Sequence, residues 1–215
     1  IYASGYVSGE GYIYFGEYYD NSPDQSGATL VSVIAPDTTS GIDFTLEIVS
    51  PFVVSEDILL VDDDGGFLGF GYFESYFESA LTANGYAYDK WDVFYRGDVD
   101  SMVLDAYRGE NKCVIWLTGN ESSFTLTPND QKNLSGFLDG GGKLFISGQN
   151  IGYDLVENAN GTSFYADYLH ASYVQNNVDL LNVSGTQGDP IGDGLSFGIS
   201  GGDGADNQYS PSEID

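Results

Sequence analysis

The chain has 215 residues, of which 41 % are hydrophobic and 15 % aromatic, so it is long enough and apolar enough to bury a full core. Its 33 acidic and 6 basic residues give a formal net charge of −27. A surface of this charge repels phosphate backbones and anionic lipid heads, so we expect neither nucleic acid nor membrane as a partner. No stretch reaches the roughly 18 apolar residues that a membrane span needs, so no membrane insertion is expected.

Several features favour an extracellular or cell-surface location. Aspartate outnumbers glutamate and often lies beside Gly or Asn, which is typical of turns and calcium loops. Four Asn-x-Ser/Thr sequons are candidate glycosylation sites, and they begin at Asn120, Asn133, Asn160 and Asn182. The chain begins at Ile1 with neither an initiator Met nor a leader pattern, and we interpret it as a processed protein or a piece of a larger one.

Residues 1–50 carry short runs in which apolar and polar residues alternate. These runs lie at residues 12–15, 29–34 and 42–49 and are separated by clusters of Gly, Pro, Asn and Asp. Alternation with period two predicts strands with one buried face. We therefore predict that residues 1–50 are the end of an immunoglobulin-like β-sandwich, and that residues 51–215 form a second domain.

From residue 58 the pattern changes to strands that alternate with helices. Apolar runs predict strands at residues 58–61, 88–94, 113–118 and 143–147, with a candidate fifth strand at 173–178. Helical spacing predicts helices at residues 72–81, 99–107 and 153–168, and a further helix that Thr127 caps and Pro128 begins. This alternation predicts an α/β domain with a doubly wound, mostly parallel sheet of the three-layer, flavodoxin-like type.

In such sheets, ligands bind at the carboxyl ends of the strands. The polar residues predicted at that edge form a candidate binding rim, which consists of Asp62, Asp63, Asp64, Asn120, Gln149 and Asn150. Two acidic loops are further candidate Ca²⁺ sites because they are rich in oxygen ligands: one contains Asp20 and Asp24, and the other Asp203, Asp206 and Asn207. The alternative for both loops is a solvated turn.

Residues 61–66, Val-Asp-Asp-Asp-Gly-Gly, resemble the Asp-x-Asp-Gly-Thr nucleophile loop of haloacid-dehalogenase-type phosphatases. The resemblance implies that Asp62 attacks phosphorus, that Asp64 protonates the leaving group, and that Mg²⁺ bridges them. Thr118, at the end of the third α/β strand, would match the second motif of that family.

The match to those phosphatases is incomplete. Gly66 replaces the usual Thr or Val, and no acidic pair follows the strand at residues 143–147 to complete the metal site. Among the later lysines, Lys132 and Lys143 lie nearest the region where the family places its lysine. The alternative is that the three aspartates cap turns or hold a structural cation.

Residues 143–152 predict a strand followed by a Gly-x-Asn-x-Gly turn centred on Asn150. Hydrolases and amidotransferases of α/β type carry a Ser or Cys nucleophile at this position. Asparagine tolerates left-handed backbone angles but cannot attack an acyl carbon, so the turn is predicted to keep its shape without its chemistry. His170, the only histidine, has no nucleophile to activate there, and Cys113 lies in an apolar strand where an inert thiol is expected.

Four segments together resemble the glutamine-amidotransferase-like, flavodoxin-like module of large secreted bacterial and archaeal proteins, many of them peptidases. These segments are residues 58–66, 114–119, 141–152 and 189–197, and the resemblance covers roughly residues 55–215. Catalytic class I amidotransferases need a Cys at the turn and a later His-x-Glu, and this chain has neither. The resemblance therefore implies the fold and a secreted, multidomain context, and it does not imply the amidotransferase activity.

We predict a non-catalytic binding or structural module, a pseudoenzyme stabilised by Ca²⁺, in an extracellular multidomain protein. Its expected partners are the neighbouring domains of the parent protein and a protein or glycan ligand. One alternative is a Mg²⁺-dependent phosphohydrolase that uses Asp62 and Asp64. Another is an accessory domain of a secreted peptidase.

Overall fold

The computed structural model describes residues 2–7, 12–19, 26, 28–31, 42, 52–65, 73–180, 182–200, 208 and 210–215. The chain divides into two compact units, Ile1–Val53 and Val54–Asp215. No helix within the described ranges is long and apolar enough to cross a lipid bilayer.

The first unit contains an antiparallel strand pair. It consists of β1 (Tyr2–Val7) and β2 (Tyr12–Tyr18). The strand predicted at residues 12–15 is thereby confirmed, whereas β1 was not predicted because glycines interrupt its alternation.

The other two strands predicted in the first unit are not supported where the structure describes them. Residues 29–31 and 42 do not lie in strands. The backbone N–H of Thr29 instead donates to Tyr19 O at 3.2 Å, so the chain turns back on the end of β2. The rest of the predicted strands at residues 29–34 and 42–49 lies outside the described residues, and the immunoglobulin-like assignment stays a prediction.

The second unit is built on a four-stranded, all-parallel sheet, which confirms the predicted α/β class. Its strands are β3 (Ile58–Asp62), β4 (Asp89–Asp92), β5 (Cys113–Gly119) and β6 (Leu144–Gly148). Their spatial order is β4-β3-β5-β6. The chain therefore moves from β3 to one side and then returns past it to the other, so the strand order reverses between β3 and β5.

Within the described residues, five α-helices connect or follow these strands. They are α1 (Glu74–Ala83), α2 (Val93–Arg96), α3 (Ser101–Asp105), α4 (Pro128–Asp139) and α5 (Thr162–Asp167). The start of α4 confirms the predicted cap: Thr127 Oγ1 accepts from Asp130 N at 3.1 Å, and Asp130 Oδ2 accepts from Thr127 N at 2.9 Å.

Two predicted elements in this unit are shorter than expected. The strand predicted at residues 88–94 ends at Asp92, because the Asp92 carboxylate accepts from Tyr95 N at 3.3 Å and caps α2. The helix predicted at residues 153–168 is divided into a π-helical turn, Tyr153–Glu157, and α5. Buried Asp154 holds this wide turn by accepting from Thr125 N at 2.8 Å and from Asn160 Nδ2 at 2.7 Å.

The core follows the central strands. Leu59, Leu60 and Val61 are all 0 % exposed. Because successive residues of a strand point to opposite faces, their common burial means that both faces of β3 are covered. Trp116 and Leu117 extend the same core along β5.

The candidate fifth strand does not join the parallel sheet, so that part of the prediction is wrong. β7 (Tyr173–Gln175) pairs antiparallel with β10 (Glu213–Ile214), and β8 (Asn182–Ser184) pairs antiparallel with β9 (Ser196–Gly198). The end of the chain fixes β7, because Ser172 and Asp215 exchange two backbone hydrogen bonds at 2.7 and 2.8 Å.

Asp89, at the start of β4, ties the beginning of the second unit to the sheet. Its buried carboxylate accepts from Ser55 N and Glu56 N, both at 2.9 Å, and from the hydroxyl groups of Ser55 and Tyr107. Burial alone would raise the pKa of Asp89, but these hydrogen bonds outweigh it and lower the pKa.

We expect Asp89→Ala to lower the free energy of unfolding by about 3 kcal/mol, because the substitution leaves several buried donors unpaired. Asp105→Ala is the matched control, since it removes a half-exposed ion pair with Arg108 and is expected to change stability by at most about 0.5 kcal/mol. Urea denaturation of both variants measures the difference. Equal destabilisation by the two substitutions would contradict this role of Asp89.

Candidate functional site

Three carboxylates meet at the carboxyl edge of the parallel sheet: Asp62, Asp64 and Glu74, hereafter the acidic triad. One oxygen from each lies within 4.8 Å of the other two. Asp62 ends β3, and Asp64 follows two residues later, so alternation of the extended chain directs both side chains to the same side. Glu74 lies in the first turn of α1. An all-oxygen, triply acidic group of this kind suits a hard cation such as Ca²⁺ or Mg²⁺.

Asp64 brings α1 to this edge. Its Oδ2 accepts from the backbone N–H of Phe73 at 2.9 Å, directly before α1 begins. The hydrogen bond therefore sets the position of Glu74, which sequence reasoning missed. The available signal was its place in the first turn of a helix that follows an acidic loop, where a carboxylate favours the helix N-terminus.

Lys90 on the neighbouring strand β4 is the counter-ion of the triad. Its Nζ lies 3.1 Å from Asp62 Oδ2 and 3.6 Å from Glu74 Oε1, and it also contacts Glu78 Oε1 at 3.2 Å. One ammonium group thus pairs with three carboxylates, two of which belong to the triad. Glu74 Oε2 is buried and has no hydrogen-bond partner among the described residues. Burial has therefore removed this oxygen from water without replacing the hydrogen bonds that water would make to it.

The surroundings make the charge on Asp62 unfavourable. Burial, followed by repulsion from Asp64, raises the pKa of Asp62 to about 7 despite the nearby ammonium of Lys90. Burial also opposes the charge on Lys90, but the hydrogen bond and ion pair with Asp62 outweigh it and raise the pKa of Lys90. Since the folded-state pKa of Asp62 exceeds the ordinary value of 3.8, its deprotonation destabilises the folded state as pH rises from about 4 to 7. A bound cation would offset this cost.

Asp63 points away from the acidic triad, although it was predicted in the same binding rim. Its Oδ2 accepts from Trp116 Nε1 at 2.9 Å. Burial raises its pKa to about 8 in spite of this hydrogen bond, and repulsion from Asp130 adds to the effect. The alternation that unites Asp62 with Asp64 places Asp63 on the opposite side.

Two further residues predicted at the site are buried in structural positions. Asn150 is 4 % exposed and donates to Asn120 O at 3.1 Å. It is not among the residues with positive φ, so it does not use the left-handed angles that asparagine tolerates, and its side chain instead stabilises the adjacent loop. Thr118 is 0 % exposed, and its Oγ1 lies against the backbone of Gly148 on β6.

Among the described residues, the lysine that contacts the acidic triad is neither of the two that sequence spacing favoured. Lys143 Nζ donates to the carbonyl of Glu110, and Lys132 lies exposed on α4. Lys90 reaches Asp62 instead, because β4 lies beside β3 in the sheet. The order of strands in space, and not spacing along the chain, decides which lysine faces the triad.

A pocket of about 430 Å³ opens at the same edge of the sheet. From the α1 side it is lined by Phe73, Tyr76, Phe77 and Ala80. From the ends of β5 and β6 it is lined by Leu117, Gly119, Asn120, Ser147, Gly148 and Gln149, and Gln208 completes the described lining. The pocket therefore contains Asn120 and Gln149 of the predicted binding rim, and it combines aromatic rings with carboxamides.

The pocket and the acidic triad share a wall at Gly119. A Cβ at this residue would lie 2.6 Å from Phe73 Cδ2 and 2.8 Å from Asp64 Cβ, and the backbone φ of +53° also favours glycine. Gly119 thus allows the end of β5 to approach both the triad and the pocket closely. The backbone N–H of Gln149 donates to Gly119 O at 3.1 Å and joins β6 to the same wall.

The other predicted sites lie elsewhere. Asp20, Asp24, Asp203, Asp206 and Asn207, the candidate Ca²⁺ loops, lie outside the described residues. Of the sequon asparagines, Asn133 donates to Val99 O, Asn160 donates to Asp154, Asn182 is exposed on β8, and Asn120 lines the pocket. His170 is exposed in the loop after α5. Burial raises the pKa of the Cys113 thiol, which suits an inert packing role.

We expect Gly119→Ala to lower the free energy of unfolding by about 2 kcal/mol, because the new methyl group meets Phe73 and Asp64 in a left-handed backbone. Gly136→Ala, within α4, is the matched control: its Cβ meets nothing within 4 Å, and we expect a gain of about 0.5 kcal/mol. Thermal and urea unfolding of both variants test this. An unchanged stability of Gly119→Ala would contradict the close approach described here.

Comparison of the chain with protein-family models, with curated proteins and with solved structures finds no match. The resemblance of residues 55–215 to an amidotransferase-like module therefore stays a prediction.

Proposed function

We propose that the second unit is a non-catalytic ligand-binding module whose site combines a divalent cation with a small-molecule pocket. The observation that carries the proposal is the position of both features at the carboxyl edge where the strand order reverses between β3 and β5. Open α/β sheets bind ligands at this point. A volume of about 430 Å³ also falls within the usual range for small-molecule sites.

The negative charge of the acidic triad supports a bound divalent cation. Asp62, Asp64 and Glu74 bring three negative charges together, and Lys90 supplies one positive charge. Three protein oxygens are too few to fill the coordination shell of Ca²⁺, which takes six to eight, so water or ligand oxygens would complete it. We propose Ca²⁺ as the preferred ion because its flexible coordination tolerates such an irregular set of ligands.

We further propose a flavodoxin-like fold for the second unit and an extracellular or cell-surface location for the protein. The order β4-β3-β5-β6 matches the first four strands of the flavodoxin-like order 2-1-3-4-5, which supports a flavodoxin-like fold. The high acidity and the exposed sequon at Asn182 support an extracellular or cell-surface protein. A role as an accessory domain of a secreted peptidase is compatible with the same site, because binding and not turnover is what such a domain would contribute.

Cation binding is tested by calorimetry and thermal unfolding of the whole chain in chelator and in millimolar Ca²⁺ or Mg²⁺. We expect Ca²⁺ to raise the melting temperature, because an ion that binds only the folded state stabilises it by RT ln(1 + [L]/Kd). Glu74→Gln is expected to weaken Ca²⁺ binding at least tenfold. In chelator the same variant should melt no lower than the original chain, because it removes a repulsive charge from the triad.

The matched control for this experiment is Glu78→Gln. Glu78 contacts Lys90 at 3.2 Å, as Glu74 does at 3.6 Å, but it does not belong to the triad. We expect this variant to bind Ca²⁺ as the original chain does. Equal loss of binding in both variants, or no binding by the original chain, would contradict the cation site.

A Mg²⁺-dependent phosphohydrolase is the second candidate, because Lys90 and the triad surround Asp62 as a nucleophile would require. Two observations favour binding over turnover. Asp64, the acid of that mechanism, is buried and already accepts from Phe73 N. Thr118 is 0 % exposed and its Oγ1 lies against Gly148, so its hydroxyl group is not open to a bound phosphoryl group.

We expect no hydrolysis of para-nitrophenyl phosphate above background with Mg²⁺, for either the original chain or Asp62→Asn. Release of nitrophenolate, followed by absorbance, is the measurement, and a characterised Mg²⁺ phosphatase serves as the positive control. Turnover by the original chain that Asp62→Asn abolishes would establish the phosphohydrolase instead.

A further inference from the structure

We propose that the pocket at the carboxyl edge of the sheet binds a neutral saccharide. This inference rests on the proposed function, because it names the ligand class of the same site. It is carried by the chemistry of the described lining, which combines aromatic rings on one side with carboxamide and hydroxyl groups on the other.

The aromatic side of the pocket offers a surface for an apolar ring face. Phe73, Tyr76 and Phe77 come from one end of α1, and Tyr76 is 44 % exposed, so a large part of its ring is open to a ligand. The C–H groups on one face of a pyranose ring pack against aromatic π-systems, because these C–H groups carry partial positive charge and the ring face is negative. Stacking of this kind needs no charge on the ligand.

The polar side of the pocket matches hydroxyl groups. Asn120 contributes a carboxamide with both donor and acceptor atoms, and Ser147 adds a hydroxyl group at the end of β6. Adjacent hydroxyl groups of a sugar are donors and acceptors at once, so one planar carboxamide can bond to two of them. Gln149 is held by Ser210 N at 3.3 Å and therefore adds a fixed polar group to the same wall.

Charge argues against an anionic ligand in this pocket. None of the described residues that line the pocket is charged, so no cation is present to bind a phosphate or carboxylate group. The chain carries a net charge of −27, and the acidic triad lies directly behind Phe73 and Gly119, so an anionic ligand would be repelled.

The test is binding to an array of neutral and acidic glycans, in Ca²⁺ and in chelator, with adenosine and choline measured separately by saturation-transfer NMR. We expect neutral glycans to bind and acidic glycans, adenosine and choline not to bind. Tyr76→Ala and Asn120→Ala are expected to weaken the best neutral glycan at least tenfold. Tyr86→Ala is the matched control, since Tyr86 is 59 % exposed just after α1 and does not line the pocket.

The possible outcomes distinguish a failure of saccharide binding from a failure of cation binding. Ca²⁺ binding without binding of any neutral glycan overturns the saccharide and leaves the cation site intact. Binding of adenosine or choline alone replaces the saccharide with another ligand class. Glycan binding that Tyr76→Ala and Asn120→Ala leave unchanged overturns the pocket as its site. Glycan binding by a chain that shows no Ca²⁺ binding in calorimetry supports the saccharide while contradicting the cation.

Discussion

The hydrogen bond from Phe73 N to Asp64 is the interaction on which the site depends. It joins the end of β3 to the start of α1, and this junction places Glu74 beside Asp62. The same junction turns the ring of Phe73 toward Gly119 and makes it a wall of the pocket. One backbone contact therefore organises the acidic triad and the pocket together, which is why a change in either feature should affect the other.

The carboxylates of the acidic triad, at the carboxyl edge of the sheet, have fewer stabilising partners than two buried carboxylates elsewhere in the second unit. Buried Asp89 and Asp154 each accept several hydrogen bonds and hold loops in place. Asp62 and Glu74 instead share the ammonium group of Lys90 with Glu78, and one oxygen of Glu74 has no hydrogen-bond partner in the part of the chain that the structure describes. Buried charges without enough partners reduce stability, so their presence at a pocket indicates a site that a ligand or ion completes.

The sequence predicted the parts of the fold that local physics controls. Continuous apolar runs identified β3 and β5, and the Thr127–Asp130 pattern identified the start of α4, because burial and capping act over a few residues. It also selected Asp62, Asp64, Asn120 and Gln149, since strand ends in parallel sheets share one edge. It failed where partners come from distant parts of the chain: Glu74 and Lys90 reach Asp62 only through the fold, and β10 captures β7 from the chain end. The hydrogen bond from Asn150 to the carbonyl of Asn120 likewise joins residues 30 apart, so the sequence pattern could not reveal it.

The central claim is that Asp62, Asp64 and Glu74 together bind one divalent cation. A crystal structure of the chain grown with Mn²⁺ and measured at the manganese absorption edge tests it most directly. The claim predicts an anomalous peak roughly 2.0–2.6 Å from an oxygen of each of the three carboxylates, with Lys90 displaced from Asp62. A peak elsewhere, or none while Lys90 still contacts Asp62, would contradict it.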